Sequence, residues 1–127
     1  PFHRLADEGI DLMMVGHITM PNVTDDGLPA SLSKEAIDLL QDELDYDGIV
    51  ITDAMNMGAI VDYYPDGEAA VKAVEAGVDI VLMPADLDDA YNSLCEAVQT
   101  GEISENRLDE SVERILSLKY DKGMLVP

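Results

Sequence analysis

The chain is short of cations, of cysteine and of long apolar runs, and each shortage excludes a class of function. Seven Lys and Arg stand against 27 Asp and Glu in 127 residues, a formal net charge of −20. Affinity for nucleic acid comes from cations that neutralise phosphates, so a charge of this sign argues against phosphate-backbone partners. It also argues against docking on anionic membrane surfaces. The plainer reading of the acidity is a solvated carboxylate surface, which also suits a high-salt environment. No apolar run approaches the roughly 20 residues of a spanning helix. One cysteine, Cys95, leaves no internal disulfide and no Cys-based zinc site. Pro1-Phe2-His3-Arg4 has neither a signal-peptide pattern nor an initiator Met. We therefore expect a piece of a longer polypeptide. No Pro/Ser-rich linker or low-complexity segment divides the chain, and its 47% hydrophobic content suits one core.

Three short apolar runs predict strands, near residues 11–16, 49–52 and 79–83. They lie in Gly9-Ile10-Asp11-Leu12-Met13-Met14-Val15, Asp47-Gly48-Ile49-Val50-Ile51-Thr52 and Gly77-Val78-Asp79-Ile80-Val81-Leu82-Met83. None alternates apolar with polar, which predicts parallel strands buried on both faces. Helical patterns separate and follow them. Ser33 can cap a helix from about Lys34 to Leu44. A second runs from Glu68 to Ala76 and stops at Gly77, a residue suited to a left-handed cap. Asp86 can cap a third that ends before Gly101. Ser104 opens a fourth, with Leu108, Val112, Ile115 and Leu116 as a core-facing stripe. Cys95 falls in the third helix and reads as an inert core thiol. The alternating order implies right-handed βαβ units. It fits a doubly wound sheet or a (β/α)8 barrel, and a whole barrel needs roughly 200 residues or more.

In either architecture chemistry sits at the carboxyl ends of the strands. The first strand ends in Gly16-His17, the second in Asp53 and the third in Pro84. Asp53 follows a buried run directly. A carboxylate fixed there can be a nucleophile, a base or a metal ligand, or it can simply cap the following turn. His17 could be an acid/base, a ligand or a pocket wall, and a lone His at a strand end is more often a satisfied structural residue. His3 reads as a surface residue without a catalytic role. No ligand cluster argues for a metal site. Dinucleotide, P-loop and nucleophile-elbow motifs are absent.

Residues Tyr46 to Ile60, with Ile51-Thr52-Asp53-Ala54-Met55-Asn56-Met57 at their centre, resemble the nucleophile segment of glycoside hydrolase family 3. The likeness is greatest to the bacterial beta-N-acetylglucosaminidase (beta-hexosaminidase) branch. Met14-Val15-Gly16-His17-Ile18, Pro29-Ala30-Ser31-Leu32-Ser33, Ala76 to Pro84 and Ser111 to Lys119 resemble further family segments, in the family's order. The resemblance implies a partial TIM-type barrel, with residues 1–127 as the C-terminal portion of the catalytic domain and its last three βα units. It implies Asp53 as the nucleophile of a retaining glycosidase that removes terminal beta-linked N-acetylhexosamine, as in peptidoglycan fragments. It places His17, Met55 and Met57 against the substrate, and it implies neither metal nor organic cofactor. The branch's acid/base histidine lies on a loop after a Lys-His-Phe-Pro-Gly-His motif, which this sequence lacks. The isolated chain is therefore expected to be inactive. Its open edges should seek the missing half of the barrel or a second copy. Two alternatives stand beside this reading: a family 3 beta-glucosidase or beta-xylosidase, and a non-catalytic α/β fragment that self-associates. A phospho-accepting receiver domain is disfavoured, because Gly16-His17 and Pro84 stand where it needs an acidic pair and a lysine.

Overall fold

The computed structural model describes residues 1–125. In chain order its elements are α1 (Phe2–Asp7), β1 (Leu12–Val15), a 3-10 turn (Ala30–Leu32), α2 (Lys34–Asp38), a π-helical turn (Leu39–Glu43), β2 (Ile49–Thr52), α3 (Gly58–Val61), α4 (Asp66–Ala76), α5 (Leu87–Thr100) and α6 (Glu105–Asp121). β1 and β2 pair in parallel, with Met13 beside Val50 and Val15 beside Thr52. The α/β class is therefore as expected.

The third expected strand, 79–83, is reduced to one parallel bridge between Ile51 and Ile80. Side chains replace the backbone on both sides of that bridge. The Val50 N–H donates to Asp79 Oδ2 at 2.9 Å, while the Val78 carbonyl accepts from Arg107 Nη2. Two residues on, the Leu82 N–H donates to Thr52 Oγ1 at 2.9 Å. The segment still lies against β2, because the Thr52 N–H reaches the Ile80 carbonyl at 3.0 Å.

The caps fold as their residue types dictate. Ser33, Asp86 and Ser104 accept from the N–H groups of Ala36, Asp89 and Arg107, satisfying donors that have no helical partner. Gly77 (φ 115°) and Gly101 (φ 81°) take the left-handed conformation after α4 and α5. The single helix expected to about Leu44 instead keeps α pitch to Asp38 and widens over the next five residues.

The core lies on one side of the sheet. Met13 and Val50 pack there with Ile37 and Leu40 of the second helical unit, Ala69 and Ala73 of α4, and Met55 and Ile60 from the segment after β2. α4 is buried nearly all round, since Val71 and Val74 meet Ala97 and Ile103 on its far side. Its small residues let the sheet and α5 both approach closely.

Two expectations about burial are corrected. β1 is not buried on both faces, for Leu12 and Met14 are 44% and 55% exposed while Met13 between them is buried; β2 keeps to the expectation better, with its successive residues Ile49 and Val50 both buried. The pleat turns successive residues to opposite faces, and the described residues leave this part of the second face uncovered. Most of the α6 stripe is not core either, for Leu108, Val112 and Leu116 are exposed and only Ile115 is half-buried. α6 is rotated to present Arg107, Ser111 and Arg114 to Asp79. Arg114 Nη1 and Ser111 Oγ donate to Asp79 Oδ1 at 2.8 and 2.5 Å. Because the Asp79 side chain is fully buried, these ion-pair partners fix the helix orientation. Burial lowers the Arg107 guanidinium from its ordinary pKa, against the pull of Asp79. Cys95 is half-buried rather than core. It lines an apolar groove with Val74, Tyr91, Leu94 and Val98.

Candidate active site

Asp53 is the first residue beyond β2, the strand between β1 and the Asp79–Leu82 segment. Its backbone N–H donates to the Val15 carbonyl at 2.9 Å, extending the β1–β2 ladder by one step. The pleat carried one residue past Thr52 puts Asp53 on the face of Ile49 and Ile51, opposite the fully buried Thr52. The carboxylate is half-buried at the sheet's edge. Its Oδ1 accepts the N–H of Ala54 at 2.8 Å.

The turn that follows is tied down from both sides. The Ala54 carbonyl accepts from the Met57 N–H at 3.1 Å and from His17 Nε2 at 3.0 Å. The Met55 and Asn56 N–H groups donate to the carbonyls of Leu82 and Met83 at 2.8 and 3.1 Å. Met83 holds a positive φ of 51°, an uncommon conformation for a non-glycine residue. The three carboxyl ends thus converge on residues 53–57.

The sequence-predicted residues take different places. His17 reaches the Asp53 turn. A carbonyl can only accept, so His17 Nε2 carries the proton, and in the neutral ring Nδ1 accepts from Ser31 Oγ at 2.7 Å. Both ring nitrogens are therefore engaged by the protein, which leaves neither free for acid/base work in this arrangement. Met57 is 44% exposed just beyond Asp53, and Met55 is 1% exposed within the core. The Met55 side chain lies among core residues, so its link to the site is its backbone N–H. His3 sits in the exposed α1. Among the described residues no group of three or more His, Cys, Asp or Glu could hold a metal ion.

Sequence reasoning missed Ser31, Thr52 and the Leu82 and Met83 carbonyls. Ser31 lies fourteen residues from His17, at no helical or strand spacing. Only its place in the segment Pro29 to Ser33 drew notice to it.

Residues 1–118 match the family model described as "Glycosyl hydrolase family 3 N terminal domain". The chain is 34% identical over 126 residues to a beta-N-acetylglucosaminidase/beta-glucosidase of Cellulomonas fimi, covering 91% of this chain and 22% of that protein. It is 35% identical to beta-hexosaminidase LpqI of Mycobacterium tuberculosis, covering 94% of this chain and 32% of the relative. The solved structure of a family 3 beta-N-acetylglucosaminidase from Paenibacillus sp. superposes with a TM-score of 0.90 at 43% identity. That match covers 94% of this chain and 23% of the other. The chain thus spans between about a fifth and a third of the length of these relatives.

Proposed function

Because the chain belongs to glycoside hydrolase family 3, we propose that it is the nucleophile-bearing, C-terminal portion of a (β/α)8 barrel domain. Its polypeptide would be a retaining glycosidase that removes terminal beta-linked N-acetylhexosamine. The observation that carries this reading is the placement of Asp53: a carboxylate one residue beyond a central parallel strand, in a turn held by several backbone hydrogen bonds. Residues 1–127 form one portion of the barrel domain. Leu12 and Met14 then face the barrel interior, and the exposed face of α6 meets the remainder of the polypeptide.

The chemistry follows from that placement. Ala54 N–H holds Oδ1, and Oδ2 is the oxygen aimed at the sugar. An Oδ2 electron pair attacks the anomeric carbon as the glycosidic C–O bond breaks. A general acid from outside these 127 residues protonates the leaving oxygen. Water then displaces Asp53 from the glycosyl-enzyme, giving its proton to the same group and regenerating the carboxylate with net retention. Fixing the attacking oxygen removes orientational freedom before reaction, which lowers the barrier. Met57 is open to contact the sugar, His17 forms the wall behind the turn, and Met55 supports it from within the core. Neither metal nor organic cofactor takes part. The substrate is an amino-sugar glycoside such as a peptidoglycan fragment. A beta-glucosidase remains the second reading, favoured by the double name of the Cellulomonas relative.

The test is hydrolysis of an aryl beta-N-acetylglucosaminide by the full-length protein and its Asp53→Ala variant. Turnover is expected in the former, with a loss on the order of 10³-fold or more in the latter. Full-length protein that cleaves aryl glucosides but not N-acetylglucosaminides would favour the second reading. Activity untouched by Asp53→Ala would remove the nucleophile.

A further inference from the structure

We propose that Ser31 and His17 form a clamp that sets the direction of the Asp53 carboxylate through the carbonyl of Ala54, making both of them positioning residues; this rests on the reading of Asp53 as nucleophile. Ser31 is fully buried, so its hydroxyl has no water to bond and must spend its hydrogen inside the protein. It does so on His17 Nδ1 at 2.7 Å. The Ala54 carbonyl fixes the tautomer: it can only accept, so the ring proton stands on Nε2, which donates to it at 3.0 Å, and the bare Nδ1 takes the Ser31 hydroxyl hydrogen.

Ala54 is the residue through which orientation passes. Its N–H holds Asp53 Oδ1 at 2.8 Å, and its carbonyl accepts from both Met57 N–H and His17. The Met57 bond closes a turn that would exist without His17. The Asp53 N–H bond to Val15 and the Met55 N–H bond to Leu82 anchor the backbone on either side of Ala54, and the His17 bond adds a hold on the Ala54 carbonyl itself that limits its remaining tilt. The carbonyl and the N–H of Ala54 belong to successive peptide planes, so a tilt of the first reaches the second through the Ala54 φ and ψ, shifting the N–H from Oδ1 and loosening the carboxylate. Loss of the clamp should therefore disturb aim more than fold. Misplacement of a reacting group by about 1 Å costs on the order of 10²-fold in rate.

The variants are His17→Phe, which keeps a ring without nitrogens, His17→Gln, which restores an amide donor and acceptor, and Ser31→Ala. All are made in the full-length enzyme beside Asp53→Asn. We expect kcat to fall about 100-fold in His17→Phe with KM changed by less than about threefold. Ser31→Ala should fall less, and His17→Gln should recover at least part of the loss. Two readouts do not need turnover. Imidazole ¹⁵N shifts should report a neutral His17 protonated at Nε2. Amide exchange at Ala54, Met55 and Asn56 should quicken in His17→Phe and Ser31→Ala. Should His17→Phe fail to fold, Ser31→Ala and the native ring's shifts decide alone. A ring protonated at Nδ1, unchanged amide exchange, or a rise in KM alone would overturn the clamp; the last would make His17 a substrate contact. If Asp53→Asn stays active, the nucleophile reading falls while exchange and tautomer still judge the clamp. If Asp53→Asn is dead and the clamp variants keep native kcat, the clamp falls alone.

Discussion

Tyr46 is 4% exposed and its phenol donates to the Ile49 carbonyl at 3.0 Å. Gly48 permits this, for a methyl group there would sit inside the phenol. Burial, aided by the charges of Asp79, Asp47 and Asp11, pushes the hydroxyl up to about 12 from 10.0. The neutral phenol is thus favoured in the folded state. Its contribution is complete below pH 10, where the unfolded tyrosine is also neutral, and it is lost as pH rises from 10 through about 12. Denaturant melts at pH 8 and 11 should show the native chain losing more stability than Tyr46→Phe over that interval. Asp79 carries a larger effect. Removing its carboxylate strips Arg107 and Arg114 of their buried partner and leaves the Val50 N–H unpaired. Asp79→Ala should cost about 3–5 kcal/mol in urea unfolding of the full-length protein.

Among the elements, α4 and its cap show how closely local and tertiary demands agree. Gly77 has a φ of 115°, and a Cβ there would stand 2.9 Å from Ile37 Cγ2. Gly77→Ala therefore meets backbone strain and a clash together, and we expect destabilisation of more than about 1 kcal/mol. Caps differ in weight by their setting. Ser104 is exposed and only caps α6, so Ser104→Ala should cost about 1 kcal/mol. Ser33 is fully buried, caps α2 and also donates to Asp26 Oδ2 at 2.5 Å. Ser33→Ala should cost more than Ser104→Ala, as paired thermal melts would show.

For the molecule as a whole, net charge and uncovered apolar surface oppose each other. Leu12 and Met14 on the sheet, and Leu108, Val112 and Leu116 on α6, are exposed, and faces of this kind seek partners. The charge of −20 repels like copies, and salt screens that repulsion. The 127-residue chain alone should therefore self-associate, and more strongly as salt rises. Sedimentation velocity at 0.05 and 0.5 M NaCl tests this, and a monodisperse monomer at both would contradict it.

Much was determined by the sequence alone, because the signals were local. Ser33, Asp86 and Ser104 marked helix starts, Gly77 and Gly101 marked helix ends, and the apolar runs marked β1 and β2. The segment from Tyr46 to Ile60 pointed to the family that the comparison then showed. What the sequence could not carry were choices between partners distant along the chain. Residues 79–83 look like a strand by composition, yet Asp79 and Thr52 supply side-chain partners where a ladder needs backbone. The apolar stripe of α6 looks like a core face, yet a buried carboxylate needs its guanidinium partners more than Leu108 needs burial. Ser31 could be seen but not matched to His17, since no periodicity relates residues on separate loops. Only the tertiary structure joined Ser31 to His17 and His17 to the turn beside Asp53, because hydrogen bonds form between groups adjacent in space, whatever their separation in sequence.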